Sequence, residues 1–191
     1  NIRGSLSLTI LLHDDKPGSE TLTTAEGNTI IIIPQGILPT DYYVIIGTLT
    51  AALDVIKQNA DNSLPPLYKS SGNTLREFTI KNEVGGTLTL TGQGTITIPY
   101  EDDNQDAYVM IDGVRVREET LRIYHLQNGE WKIVPGVQHQ NETDNWVQAQ
   151  VGSLSVFILI GQTAEKDLSK VEVYPNPVRV NKGDTEVVFG K

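Results

Sequence analysis

Side chains able to do chemistry are sparse in this chain, and the densest group is acidic. Glu101, Asp102, Asp103, Asn104 and Asp106 follow one another closely, with Asp112 beyond them. A hard cation such as Ca²⁺ takes about six to eight oxygen ligands, and closely spaced carboxylates in a loop can supply them. Asp102, Asn104, Asp106 and Asp112 are therefore the candidate calcium ligands, the first three matching the opening of an EF-hand loop. The match then fails: Ala107 stands where the sharp turn needs Gly, and Gly113 stands where the bidentate Glu belongs. The competing reading is a solvated connection between strands, the usual fate of a charge run. His13, His125 and His139 are scattered and form no H-E-x-x-H arrangement. His13 precedes Asp14 and Asp15, yet no G-x-S-x-G turn exists to present a serine to that pair. His125 falls on the outward phase of its segment and is expected to be an exposed strand histidine. The chain has no cysteine, which removes disulfides, thiolate metal sites and cysteine catalysis. No catalytic set and no cofactor are expected, so the chain reads as a non-enzyme.

Charge narrows the partners. A formal net charge of -9 disfavours nucleic acid, whose phosphates demand a basic face, and equally disfavours anionic lipid. The longest apolar stretch, LSVFILI at 154–160, is far shorter than the roughly 20 residues needed to span a bilayer. No basic segment leads into an apolar one at the start, which is Asn1 rather than Met; a piece of a longer, processed precursor is the expectation.

The elements that must carry these residues are strands. The chain holds 18 Ile, 17 Val and 19 Thr against 7 Ala, and β-branched residues suit a pleated surface better than a helix. Strand patterns recur in SLSLTILL (5–12), in NTIIII (28–33), which is apolar on both faces and closes at Pro34 as a buried strand would, and in YYVIIGTL (42–49), TLREFTI (74–80), TLTLT (87–91), TITIP (95–99) and AYVMI (107–111). They continue in TLRIYHL (120–126), EWKIV (130–134), NWVQAQV (145–151) and LSVFILI. Asn128-Gly129 predicts a tight hairpin, and Gly92-Gln93-Gly94 predicts a second between 87–91 and 95–99. Many short strands with brief turns predict an all-β, two-layer antiparallel β-sandwich. One short helix is allowed near residues 50–60, with Thr50 as its N-cap and Leu53, Ile56 and Ala60 on one face. Residues 61–72 read as a long surface loop. Trp131 and Trp146 lie on strands and are expected in the core or on a sheet face rather than as a sugar platform. Asn141-Glu142-Thr143 matches a glycosylation sequon by pattern alone.

From TITIPYED through LRIYHLQNGEWKIVPGV to VQAQVGSLSVFILIG, the chain resembles the β-sandwich modules of large bacterial surface proteins, related to the ZU-type sandwich. Pro99, Tyr100, Tyr124, Trp131, Ser155 and Phe157 carry the likeness, IIPQGIL (32–38) resembles the upstream strand and turn, and coverage is residues 28–161. Some ZU-type sandwiches cleave themselves at a His-Phe-Ser step. The corresponding residues here are Ser153, Leu154 and Ser155, which lack the imidazole that would activate the hydroxyl, so Ser155 reads as structural.

A second likeness lies in VEVYPNPVRVNKGDTEVVF. Tyr174, Pro175, Asn176 and Pro177 resemble the opening of the Ig-like domain that ends many exported bacterial proteins, of the secretion-sorting and hook-capping types. That resemblance implies export and an extracellular, cell-surface address. The expected organisation is a sandwich at 1–161, a linker at 162–170 and a truncated Ig-like strand segment at 171–191. Such a short ribbon cannot build its own core. Val171, Val173, Tyr174, Val187 and Phe189 are thus expected to add to an edge of the sandwich or, preferably, to a neighbouring copy. The functional expectation is a structural or interaction module, such as a filament or layer subunit that self-associates. The alternative is a calcium-dependent or glycan-binding adhesive domain.

Overall fold

The computed structural model describes residues 8–12, 19–23, 29–38, 42–48, 50–102, 104, 106–164, 172–174 and 188–190. Strands β1 (Leu8–Leu12), β2 (Ser19–Thr23), β3 (Ile30–Pro34) and β4 (Tyr42–Gly47) precede helix α1 (Ala51–Asp61). After it come β5 (Tyr68–Ser70), β6 (Arg76–Asn82), β7 (Gly94–Pro99) and the short hairpin of β8 (Tyr108–Ile111) with β9 (Val114–Arg117). β10 (Arg122–Gln127), β11 (Glu130–Ile133), β12 (Gln138–Asn141), β13 (Trp146–Val151) and β14 (Val156–Gln162) follow. β15 (Glu172–Tyr174) and β16 (Val188–Gly190) belong to the C-terminal segment.

These strands make two main sheets with antiparallel pairing throughout. One runs β1-β4-β6-β14-β10-β11, with β5 also on β14; the other runs β12-β13-β7-β3-β2. Alternation puts Ile31, Ile33, Ile96, Ile98, Val147 and Ala149 of the second sheet into one buried cluster with Val44, Ile46, Phe78, Ile80, Phe157 and Leu159 of the first. The expected all-β sandwich is what this shared core builds. Phe78 and Phe157 meet edge-to-face at its centre, ring centroids 5.8 Å apart. A polar clasp joins the layers. Gln138 on β12 accepts the Ile123 N–H of β10 at 2.7 Å and donates to the Ile123 and Val134 carbonyls at 3.1 and 3.0 Å. This side-chain amide satisfies the Ile123 N–H, while the Ile123 carbonyl also accepts the Val134 N–H at 3.0 Å.

β14 is buried on both faces, and the reason lies in α1. Phe157 and Leu159 enter the core between the sheets, while Val156, Ile158 and Ile160 join Leu53, Ala60, Leu75 and Trp131 in a second apolar cluster. The helix thus covers the outer face of the larger sheet. Thr50 caps it as expected, its Oγ1 accepting the Leu53 N–H at 3.2 Å. The expected face needs one correction: Ile56 is exposed, and the buried positions are Leu53, Lys57 and Ala60. Spacings of four and three keep those residues on one stripe. Lys57 is tolerated there because its stem packs while its ammonium reaches Asp61 Oδ2 at 2.7 Å.

Three other expectations change. Residues 87–91 do not form a hairpin with β7. Leu88 N–H bonds to Ile80 of the first sheet and Thr91 N–H to Ile37 beside the second, so the stretch crosses between layers. Its alternation serves that crossing, with Leu90 buried in the core and Leu88 packed against it. The surface loop after α1 is partly a strand, β5, paired with Ile160–Gln162. Finally, Gln162 to Ala164, expected in the linker, stay tied to the body. Thr163 N–H donates to Leu67 O at 2.7 Å and Ala164 N–H to Arg115 O at 2.9 Å. The Asn128-Gly129 turn forms as read, with both residues at positive φ (53° and 79°), between β10 and β11. Gly161 on β14 is required by closeness, since a Cβ there would lie 2.6 Å from Val116 Cγ1.

Candidate functional site

The acidic connection leaves β7 beside a buried polar centre. Tyr100 follows the last residue of β7, and its hydroxyl donates to Glu118 Oε1 at 2.6 Å. Both side chains are buried. Gln140 Nε2 on β12 donates to the Glu118 carbonyl at 2.7 Å, and Arg122 Nη1 donates to Gln140 Oε1 at 3.3 Å. Burial pushes the Tyr100 hydroxyl well above the ordinary tyrosine range, and its hydrogen bond with Glu118 pushes the same way. Burial also raises the Glu118 carboxyl, opposed by the Tyr100 hydrogen bond and reinforced by the negative charges of Asp102, Glu142 and Asp106. The Tyr100 hydroxyl thus keeps its proton and donates it in the hydrogen bond to Glu118. A cavity of about 90 Å³ beside it, lined in part by Ser71, Arg76, Tyr100 and Met110, is small for a substrate. This arrangement staples the acidic loop and β12 to the core; the sequence reading marked Tyr100 only as a family position and missed Glu118.

The candidate calcium ligands spread over this region without converging. Asp102 is half-buried, its Oδ1 accepting the Asn104 N–H at 3.3 Å and its carbonyl accepting from Asn145 Nδ2 at 3.2 Å. Asp106 is exposed and turned back on its own hairpin. It accepts the Tyr108 N–H at 3.1 Å and pairs with Arg115 at 3.2 Å. Asp112 sits in the tip of the β8–β9 hairpin with φ 49°, at the other end of β8 from Asp106. A four-residue strand spans roughly 13 Å, beyond the reach of one ion. Among the described residues no three His, Asp or Glu side chains gather into a metal-holding group. Asp103 lies outside the described residues.

His13 and its neighbouring aspartates also lie outside them. His139 is exposed on β12. His125 corrects the outward assignment: it is half-buried and stacks on Phe157, ring centroids 6.3 Å apart. It shares a face with Ile123, toward the space between the sheets, and burial lowers its pKa. The unfolded chain therefore binds the proton more readily than the fold. The associated stability is complete above the unfolded value of about 6.5 and is lost as pH falls through the lower folded value. Melting curves should show wild type losing more stability between about pH 7.5 and about pH 5 than His125→Gln, which carries no titrating ring. Equal losses in the two proteins would contradict this placement.

Ser155 donates its hydroxyl to the Leu126 carbonyl at 3.2 Å and is structural in these contacts. Trp131 is buried under α1, with its indole N–H donating to Asp61 Oδ1 at 2.9 Å. Ser70 Oγ donates to the same carboxylate at 2.7 Å. Asp61 thus gathers Trp131, Ser70 and Lys57, a convergence no local pattern announces. Asn141 stands at the start of the β12–β13 turn, where its Oδ1 accepts the Thr143 and Asp144 N–H groups, both at 3.0 Å.

In the C-terminal segment, β15 and β16 pair with one another in the register Glu172↔Gly190, Val173↔Phe189 and Tyr174↔Val188. Among the described residues they form a two-stranded ladder that joins neither main sheet. Val171 and Val187 lie outside the described residues, as do Pro175 to Pro177. No helix among the described residues is long and apolar enough to cross a membrane. No protein-family model and no curated protein matches the chain.

Proposed function

We propose that the chain is a non-enzymatic extracellular module of a bacterial surface protein, which joins neighbouring copies by strand addition through its C-terminal ribbon. The observation that carries this reading is the separate β15–β16 ladder. Among the described residues these three-residue strands pair only with each other, an arrangement marginal in water, so this ribbon gains most from an edge that extends it. The edges of the sandwich differ in how they receive a strand. β2 carries Glu20, β11 carries Glu130 and Lys132, and β12 reads Gln-His-Gln-Asn, the charged and polar residues that discourage edge pairing. β1 reads Leu-Thr-Ile-Leu-Leu, with no charge and no proline, and β4 is its one hydrogen-bonded neighbour among the described residues. We take β1 as the acceptor.

The likeness of residues 28–161 to ZU-type modules and of Tyr174–Pro177 to exported Ig-like domains supports the surface address. Removing residues 166–191 should leave a folded monomer that no longer assembles, and Ile10→Lys in the whole chain should weaken assembly without unfolding it. Light scattering on size-exclusion fractions reads both. Oligomerisation unchanged after the deletion would overturn the proposal.

A further inference from the structure

We propose that the outer face of the five-stranded sheet binds an uncharged oligosaccharide. This site is distinct from the acidic loop and independent of strand addition. Val147, Ala149 and Val151 of β13 point into the core, so Trp146, Gln148 and Gln150 occupy the outer face. Register extends two rows from them: His139, Gln148, Thr97 and Ile30 in one, Gln150, Thr95 and Ile32 in the next. Not one of these residues carries a formal charge at neutral pH, although the chain as a whole has a net charge of -9. Protein surfaces normally mix both signs, and two adjoining rows without either mark a surface kept for something else.

The face has a groove of about 320 Å³, walled on one side by the turn Pro135–Val137 and within the size range of small-ligand sites. Gln93, Thr95, His139, Gln148 and Gln150 line it. Gln148 Nε2 donates to Thr97 Oγ1 at 2.9 Å, which fixes the orientation of that amide. The side chains of Gln93, Thr95, His139 and Gln150 make no hydrogen bond to the described residues, leaving hydroxyl, imidazole and amide groups available. Val137, 75% exposed, supplies an apolar wall. Trp146 lies half-buried on the same strand, and Trp146 to Gln150 spans roughly 13 Å.

This lining selects by chemistry. Planar amides offer a donor and an acceptor side by side, which suits adjacent hydroxyls on a sugar ring. The Val137 and Trp146 surfaces suit the C–H faces of such rings. An ionic ligand would lose hydration without meeting a countercharge, and an anion would also approach against the field of the whole chain.

The test is a nitrogen-15 NMR titration of the full chain with cellohexaose, chitohexaose and mannohexaose, using oligogalacturonate as the anionic comparison. At least one neutral hexamer should shift the amides of Gln93, Thr95, Val137, His139, Gln148 and Gln150. Gln93→Ala and Gln150→Ala, both at exposed positions, should weaken that binding roughly tenfold each with melting temperature unchanged. No shift from any neutral hexamer at millimolar concentration overturns the proposal, as does an equal or stronger response to oligogalacturonate. Broadening of the same amides with protein concentration alone, unaffected by sugar, also overturns it and assigns the face to contact between copies.

Discussion

Phe157→Ala should remove about 3–5 kcal/mol of stability and lower the melting temperature by roughly 6–20 °C. Phe157 is buried in the core that both sheets share, where it meets Phe78 edge-to-face. Truncation leaves a cavity walled by Phe78 and strands held in register on both sides of β14, so the site cannot collapse to fill it. His125 loses its stacking partner in the same step. Chemical denaturation of the variant checks the magnitude; a loss below about 1 kcal/mol would mean that the sheets do not share one packed core.

Asp61→Ala should cost about 2–4 kcal/mol, because three donors lose one acceptor together. The indole of Trp131 and the hydroxyl of Ser70 would be left without it in buried settings, and the ammonium of Lys57 would lose its counterion. The estimate stays below that of a fully buried ion pair because the Asp61 side chain is 26% exposed. Asp61→Asn keeps an acceptor for Trp131 and Ser70 and should lose less. Lys57→Met removes the stranded charge and should recover part of the loss when combined with Asp61→Ala, a coupling that a double-mutant cycle reads directly. If Asp61→Asn and Asp61→Ala were equally harmful, the carboxylate would not be serving these neutral donors.

The legible part of the fold was the part written in short-range patterns. Alternation in Trp146–Val151 and the continuous apolar runs of Ile30–Ile33 and Tyr42–Ile46 identified strands, and Asn128-Gly129 identified a turn because its positive φ values demand such residues. Thr50 was readable as a cap for the same local reason. Gln138–Asn141 and Ser19–Thr23 were not read as strands, since their pairing comes from neighbours rather than from β-branched alternation. His125 was misassigned because an isolated strand has no marked inside; only the stacking of two sheets makes its phase the inner one. The same limit hid the Tyr100–Glu118 pair, 18 residues apart, and the gathering at Asp61 of Ser70 and the more distant Trp131. The acidic run was conspicuous in sequence, yet the hairpin it leads into carries Asp112 away from Asp106.

Cross-linking tests the assembly account most directly, and the absence of native cysteine makes it clean. One chain carrying Ile10→Cys is mixed with another carrying Val173→Cys, and Thr9→Cys and Leu11→Cys cover the neighbouring registers. Strand addition predicts a disulfide-linked dimer of the two different chains, in preference to either chain with itself, in at least one register. Mixed chains that stay uncoupled in every register while sedimenting as monomers would contradict it.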